Sequence, residues 1–242
     1  MDNTNAELLE AIDMRRARRR YIPEPLDDAT AQAMRDVIAE QAGCRMELVV
    51  DNDAAGFSRS YGMFSGVRNY VGMIAPESDR AAIERLGYYG EIVVLRAVMT
   101  GLGTCWVGGS FSRSACPFKL EADERIVCIV TLGQVAVDLS VKENLIRGVM
   151  HRRSKTVEQM STTDGPAPDW FWDGLRAVQK APSAVNRQPV MFDYRDGVVR
   201  ASIPQPDDDA MLVDLGIAKQ HFAIGAGGGT WQWGSGAEFT HC

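Results

Sequence analysis

Residues 15–20 read Arg-Arg-Ala-Arg-Arg-Arg, with Tyr21 next, in a chain whose net charge is −6. A guanidinium is a planar fork of donors that bonds two oxygens of one phosphate. Read as the end of a helix, the block places Arg15 on one face with Arg18 or Arg19, because positions three and four apart are neighbours. Two forks converging there make a phosphate clamp. The same block also reads as a solvated basic face, which is favoured at a helix C-terminus. A nucleic-acid patch is the least supported reading, given the acidic chain and the absence of interleaved aromatics.

Two further segments carry polar or backbone chemistry. Ala181-Pro182-Ser183-Ala184-Val185-Asn186-Arg187-Gln188-Pro189 concentrates a hydroxyl, two carboxamides and a guanidinium just before a strand-like run. A carboxamide offers donor and acceptor side by side, as reading the edge of a heteroaromatic ring requires. The plainer reading is a polar surface turn. Gly101-Leu102-Gly103-Thr104-Cys105-Trp106-Val107-Gly108-Gly109 lets backbone approach a ligand closely. It equally well caps a helix and turns the chain.

Other chemistries find little support. Cys44, Cys105, Cys116, Cys128 and Cys242 form no pair at metal spacing, so neither a zinc site nor a disulfide framework is expected. His151, His221 and His241 read as structural. Tyr61, Phe64, Tyr88 and Tyr89 could line a substrate pocket, and core packing explains each as well. Hydrophobic residues at 45% and charged residues at 24% are those of an ordinary globular chain with a sizeable core. No apolar leader or membrane-length run is expected, which makes a reducing cytoplasm the default location.

The elements that must position these segments follow from periodicity and punctuation. Helices are expected over 5–19, 27–42, 79–100 (with a break near Gly87), 169–179 and 208–226. Strands are expected over 46–50, 67–74, 125–135, 190–194 and 197–203. The run 125–135 is almost wholly apolar and β-branched, hence central in a sheet. Asp164-Gly165-Pro166-Ala167-Pro168 is the strongest linker signal. The tail beyond Thr230 shows no period. Mixed rather than alternating elements make the fold class α+β.

An internal copy is also legible. Gly227-Gly228-Gly229-Thr230 matches Gly101-Leu102-Gly103-Thr104, and at the same constant offset Gly216 matches Gly90. Each copy is an apolar helix-like segment, a glycine cluster, then Trp106 or Trp231. The chain thus reads as two tandem related halves, 1–163 and 164–242, fused as a pseudo-dimer.

Taken together, the three segments resemble motifs of the nitroreductase family of FMN-dependent oxidoreductases. The arginine block is similar to that family's Arg-Arg-Ser-x-Arg-x-Phe, the 182–189 loop to Pro-Ser-x-x-Asn-x-Gln-Pro-Trp, and the glycine stretch to Gly-Leu-Gly-Thr-x-Trp. Residues 129–133 and the basic run 151–155 extend the likeness, and the fused, pseudo-dimeric branch fits best. The resemblance implies a nitroreductase-like fold and FMN, with NADH or NADPH as co-substrate and a small nitroaromatic or quinone-like acceptor. It implies that Arg15 and Arg19, within a segment that includes Arg16 and Ala17, bind the FMN phosphate with help from Arg153 or Lys155. Pro182, Ser183, Asn186 and Gln188 would face the ring or ribityl chain, and Gly103, Val107 and Gly108 would present backbone to the ring. No catalytic side chain is implied. The first half lacks the Pro-Ser-x-x-Asn loop and the second lacks the arginine block, so one composite site is expected in a monomer, with a homodimer as the alternative. Ala17 stands where the family has serine, and Val190 where it has tryptophan. A non-catalytic relative, with a passive flavin or none, is the rival from another class.

Overall fold

The computed structural model describes residues 3–52, 63–136, 138 and 154–242. They form two compact units whose segments interleave along the chain. One unit holds residues 14–79 and 93–150, the other residues 1–13, 80–92 and 151–242.

In the first unit, β1 (Arg45–Val49), β2 (Asn69–Pro76), β3 (Gly103–Val107) and β4 (Glu124–Gly133) make an antiparallel sheet ordered β1-β2-β4-β3. Burial along β2 and β4 is nearly continuous, as in strands covered on both faces. β4 is an inner strand, as its apolar run predicts. Tyr21, Phe64, Tyr70, Ile74, Val107 and Ile129 belong to one core cluster. Helix α2 (Asp28–Ala39) starts where Asp27 accepts the Thr30 N–H at 2.8 Å, one of the orphan donors of a helix start.

In the second unit, β5 (Ser161–Thr163), β6 (Met191–Arg195), β7 (Val198–Ser202), β8 (Gly229–Trp231) and β9 (Ala237–His241) are ordered β5-β6-β7-β9-β8. The β5–β6 pair is parallel and the others antiparallel. Helices α4 (Asp169–Val178) and α5 (Asp209–Gly225) belong to it, with parts of α1 (Asn3–Met14) and α3 (Arg80–Met99). Helix α5 is buried on every side from Met211 to Ile224, which marks a core helix. It crosses α3 closely: a methyl at Gly216 would lie 2.0 Å from the Glu84 carbonyl, and one at Gly87 2.2 Å from that of Val213. Two buried polar pairs span the crossing. Lys219 Nζ meets Glu84 Oε1 at 2.5 Å, and His221 Nε2 meets Glu91 Oε1 at 3.0 Å.

Two expectations are corrected. The first helix, α1 (Asn3–Met14), stops before the arginines instead of running to 19. α3 is unbroken at Gly87, where the glycine serves the close crossing and not a kink. In the tail, which shows no period in sequence, β8 and β9 pair with each other. The compact units interleave along the chain, and β5, just before residue 164, pairs with β6, which follows α4. Both glycine-ended segments do share one local form. α3 leads through Gly101 (φ 84°) into β3, and α5 leads through Gly227 (φ 86°) into β8.

Candidate functional site

The first candidate segment is Arg15 to Tyr21, in the first unit. Like charges crowd the five arginines, and the chain here makes strand-like bonds instead of a further helical turn. The Arg18 N–H donates to Thr104 O at 2.8 Å and Ala17 forms a parallel bridge with Thr104. Arg20 bridges Ser65 in the same way, and Ser65 N donates to Arg19 O at 3.0 Å. The arginine block therefore lies alongside β3, which brings together two of the three segments singled out by sequence.

Extended backbone changes which arginines act together. On extended backbone alternate residues share a face, which groups Arg15 with Ala17 and Arg19, all three half-buried. Arg16 and Arg20 are exposed. Arg18 is buried, and its guanidinium donates to Ala136 O at 2.9 Å and Asp138 O at 3.2 Å. Arg18 is thus a structural brace, and the helical pairing of Arg15 with Arg18 does not occur. The Arg19 guanidinium lies 5.9 Å from the centroid of the Phe64 ring. Tyr21 locks the segment at its end, its hydroxyl 2.7 Å from Arg18 O and 2.8 Å from Thr131 Oγ1.

The glycine stretch divides by role. Gly101 ends α3 in the left-handed region, with Gly101 N bonded to Val98 O and Leu102 N to Ala97 O, a helix C-cap. Gly103 is buried because a methyl there would lie 2.4 Å from Val135 Cγ1 and 3.0 Å from Arg18 Cγ. Val107 turns its side chain into the core. Gly108 and Gly109 are exposed, with open space where a side chain would be. Thr104 Oγ1 is buried without a hydrogen-bond partner among the described residues.

The second candidate segment is the Pro182–Gln188 loop, in the other unit. Val185, Asn186 and Gln188 all have positive φ, at 47°, 54° and 49°. A β-branched residue there, Val185, is a genuine outlier, and three positive-φ residues in one turn need bracing. Ser183 Oγ accepts the Gln188 N–H at 3.0 Å. Gln188 Nε2 donates to Asn186 Oδ1 at 3.2 Å. Lys155 donates its N–H to Gln188 Oε1 at 2.9 Å and its ammonium to Gln188 O at 2.8 Å. Lys155, Ser183, Asn186 and Gln188 are therefore one hydrogen-bonded group. Pro182 with Ser183 lines a small cavity behind the loop. Arg153 lies outside the described residues, as do His151 and Tyr61.

One residue escaped the sequence reading. Asp214 on α5 is 5% exposed and takes the Ala184 N–H on both carboxylate oxygens, at 2.9 and 3.1 Å. Its signal was a lone carboxylate inside the apolar run Leu212-Val213-Asp214-Leu215. No group of three or more His, Cys, Asp or Glu among the described residues could hold a metal ion. No helix among them is long and apolar enough to cross a membrane.

Comparison with known proteins gives the following. A family model described as "Putative TM nitroreductase" matches residues 7–226. No curated protein matches the chain. A solved structure titled as a "putative nitroreductase" from Thermotoga maritima shares the fold over 96% of this chain and 91% of its own, at 19% identity and a TM-score of 0.63. Partial likenesses include an FMN-dependent nitroreductase from Clostridium difficile, at 17% identity over 54% of this chain and 88% of its own, with a TM-score of 0.43. Another is a Desulfovibrio desulfuricans structure titled as a "putative nitroreductase" in complex with FMN, at 18% identity over 57% of this chain and 95% of its own, with a TM-score of 0.42.

Proposed function

Since this chain belongs to the nitroreductase family just described, we propose that it is an FMN-dependent oxidoreductase. In this reading it draws hydride from NADH or NADPH and reduces a small nitroaromatic or quinone-like acceptor. The observation that carries the proposal is the arginine segment laid along β3, with Arg15 and Arg19 in the same alternating set. Two guanidiniums so related fit a dianionic phosphate, each offering a bidentate fork. Thr104 Oγ1, buried beside that segment without a partner, adds a hydroxyl donor to the set.

The hydride chemistry is supplied by the flavin when bound, and the protein's work is to bind, orient and exclude. Arg15 and Arg19 hold the phosphate, with Arg16 and Arg153 as secondary charges. Ala17 brings no hydroxyl, so charge carries the phosphate grip. Gly103, Val107 and Gly108 contribute backbone, and the open space at Gly108 admits close approach. Pro182, Ser183 and Asn186 are the loop's own candidates for contact with the ring or ribityl chain, with Lys155 and Gln188 holding that loop in shape. No side chain is needed as nucleophile.

Fusion of two related halves, and hence a monomer in the cytoplasm, is part of the same reading. It is supported by the matching helix–glycine–strand forms and by Gly87 meeting Val213, its own counterpart at the constant offset. Contact between equivalent residues is what a two-fold relation produces.

The test is a visible spectrum of the purified protein after incubation with FMN. Retained flavin absorbance that bleaches anaerobically with NADPH or NADH, and returns on adding a quinone or nitroaromatic, supports the enzyme. A protein that takes up no FMN refutes it, and retained flavin that neither nucleotide bleaches favours the passive, non-catalytic relative. Arg15→Ala with Arg19→Ala should remove FMN binding while the circular dichroism spectrum stays unchanged. Light scattering at twice the chain mass would refute the monomer.

A further inference from the structure

Asp214 has no place in the family motifs and, among the described residues, no partner of opposite charge at contact distance, yet its carboxylate is directed at the backbone of the proposed flavin loop. It sits on α5, the most buried helix of its unit, while its hydrogen-bond partner, Ala184 N–H, belongs to the half-buried turn. The turn needs that hold. Of its backbone donors, Asn186 N bonds Ser183 O, Arg187 N bonds Ala184 O and Gln188 N bonds Ser183 Oγ, all within the loop itself. Lys155 reaches the loop at its Gln188 end. Ala184 N–H to Asp214 is the tie at the opposite end, just before the strained Val185 and Asn186.

Behind the tie lies a cavity of about 20 Å³, room for about one water, lined by Ser183, Gln188, Val190, Asp214 and Ala218 among others. A carboxyl facing so little solvent is hard to ionise. Burial pushes Asp214 up to about 7, with Asp208 adding to the rise and the Ala184 N–H and Arg187 opposing it. Arg187 and Asp208 are themselves paired at 3.8 Å. The other cavity walls, Met160 before β5 and Val178 on α4, are apolar.

We infer that Asp214 is a positioning residue for the flavin: ionised, it ties Ala184 and fixes the Ser183–Gln188 turn in its ligand-binding shape, and protonated, it releases that turn. The inference rests on the flavin reading above. An ionised acceptor makes the stronger hydrogen bond, so FMN binding draws on the ionised form and strengthens as pH rises toward neutrality. If the linkage is complete, a group titrating near 7 makes FMN dissociation about tenfold tighter at pH 8 than at pH 6.

The experiment is an FMN fluorescence titration from pH 5.5 to 8.5 on the wild-type chain and on Asp214→Asn. The asparagine can still accept from Ala184 but carries no charge. The FMN phosphate has its own ionisation at about 6, common to both proteins, so the difference between the two profiles isolates Asp214. The expected result is an excess tightening of about tenfold in the wild type between pH 6 and 8, absent from the variant. Hydrogen exchange of residues 184–188 in the flavin-free wild type provides a second readout, independent of the variant's folding. Protection should rise over the same pH range. Coincident FMN profiles, or protection that does not change with pH beyond intrinsic exchange, would overturn the inference alone. A wild-type chain that binds no FMN at any pH overturns the flavin reading and this inference with it.

Discussion

Replacing Lys219 with methionine tests the crossing of α3 and α5 in a way that depends on burial more than on charge count. Lys219 and Glu84 are fully buried. The Lys219 ammonium bonds Glu84 Oε1 at 2.5 Å and the carbonyls of Gln232 and Gly234, each at 3.0 Å, while Glu84 Oε2 accepts the Gly234 N–H at 2.6 Å. Methionine keeps the length of the side chain but strands the buried Glu84 charge and leaves two carbonyls without their donor. Breaking a buried pair from one side costs about 3–5 kcal/mol. At about 2–4 °C per kcal/mol for a chain of this size, the melting temperature should fall by roughly 6–20 °C. Thermal unfolding by circular dichroism at pH 7 measures it. Burial holds the Lys219 ammonium below its ordinary range, with Glu84 opposing, so desolvation is not fully repaid by the pair. Adding Glu84→Gln, which keeps an acceptor for Gly234 N–H and removes the charge, should therefore recover about 2 kcal/mol or more, a coupling measurable as a double-mutant cycle. A Lys219→Met protein within 1 kcal/mol of wild type, or a double variant equal to the sum of the singles, would refute this account of the crossing.

Asp214 makes stability depend on pH with a definite sign. Its carboxyl in the folded chain, at about 7 against 3.8 when unfolded, keeps a proton the unfolded chain has already lost, so stability falls as pH rises between those values and is level above them. The drop is about 4 kcal/mol at full linkage, and denaturant titrations in which Asp214→Asn shows the same slope would refute the assignment. Gly216→Ala drives a methyl into the Glu84 carbonyl of α3, where no side chain can move aside, and should cost about 3 kcal/mol; an unchanged guanidinium midpoint would contradict the close crossing. Arg18→Ala removes charge-assisted bonds to two carbonyls and should cost about 2–3 kcal/mol, read as an earlier unfolding transition. Val185→Gly relieves a left-handed β-branched residue whose side chain is exposed, and a gain of about 0.5–1 kcal/mol is expected, with a loss in the same assay arguing against strain there.

The core elements were legible because their signals are redundant. β4 announces itself by its apolar, β-branched composition, and α2 by its period. The elements that escaped lack local signals. β8 and β9 are short, glycine-flanked and defined by each other, so only the fold supplies their register. The glycines were legible as glycines but not as to cause: Gly101 is needed for its dihedral angle, Gly103 for Val135 and Arg18 pressing on it, and Gly216 for the passage of α3. Sequence shows the missing side chain in each case and cannot show which neighbour excludes it.

The arginine block shows why a motif can survive a mistaken secondary structure. In a helix, residues four apart share a face. In an extended chain, any even separation does. Arg15 and Arg19 satisfy both, so their pairing is insensitive to where α1 ends. Arg18 stands three residues from Arg15, a spacing that joins them on a helix and separates them on a strand. The structure resolves the ambiguity through Arg18 alone: its N–H is bonded to Thr104 and its guanidinium to Ala136 and Asp138. The expected division of labour follows from that parity. Loss of Arg18 should be felt mainly as instability, and loss of Arg15 with Arg19 mainly as lost flavin. Comparing FMN affinity with unfolding free energy for the same variants separates the two. If Arg18→Ala abolished FMN binding without altering stability, the strand-like reading of this segment would fail.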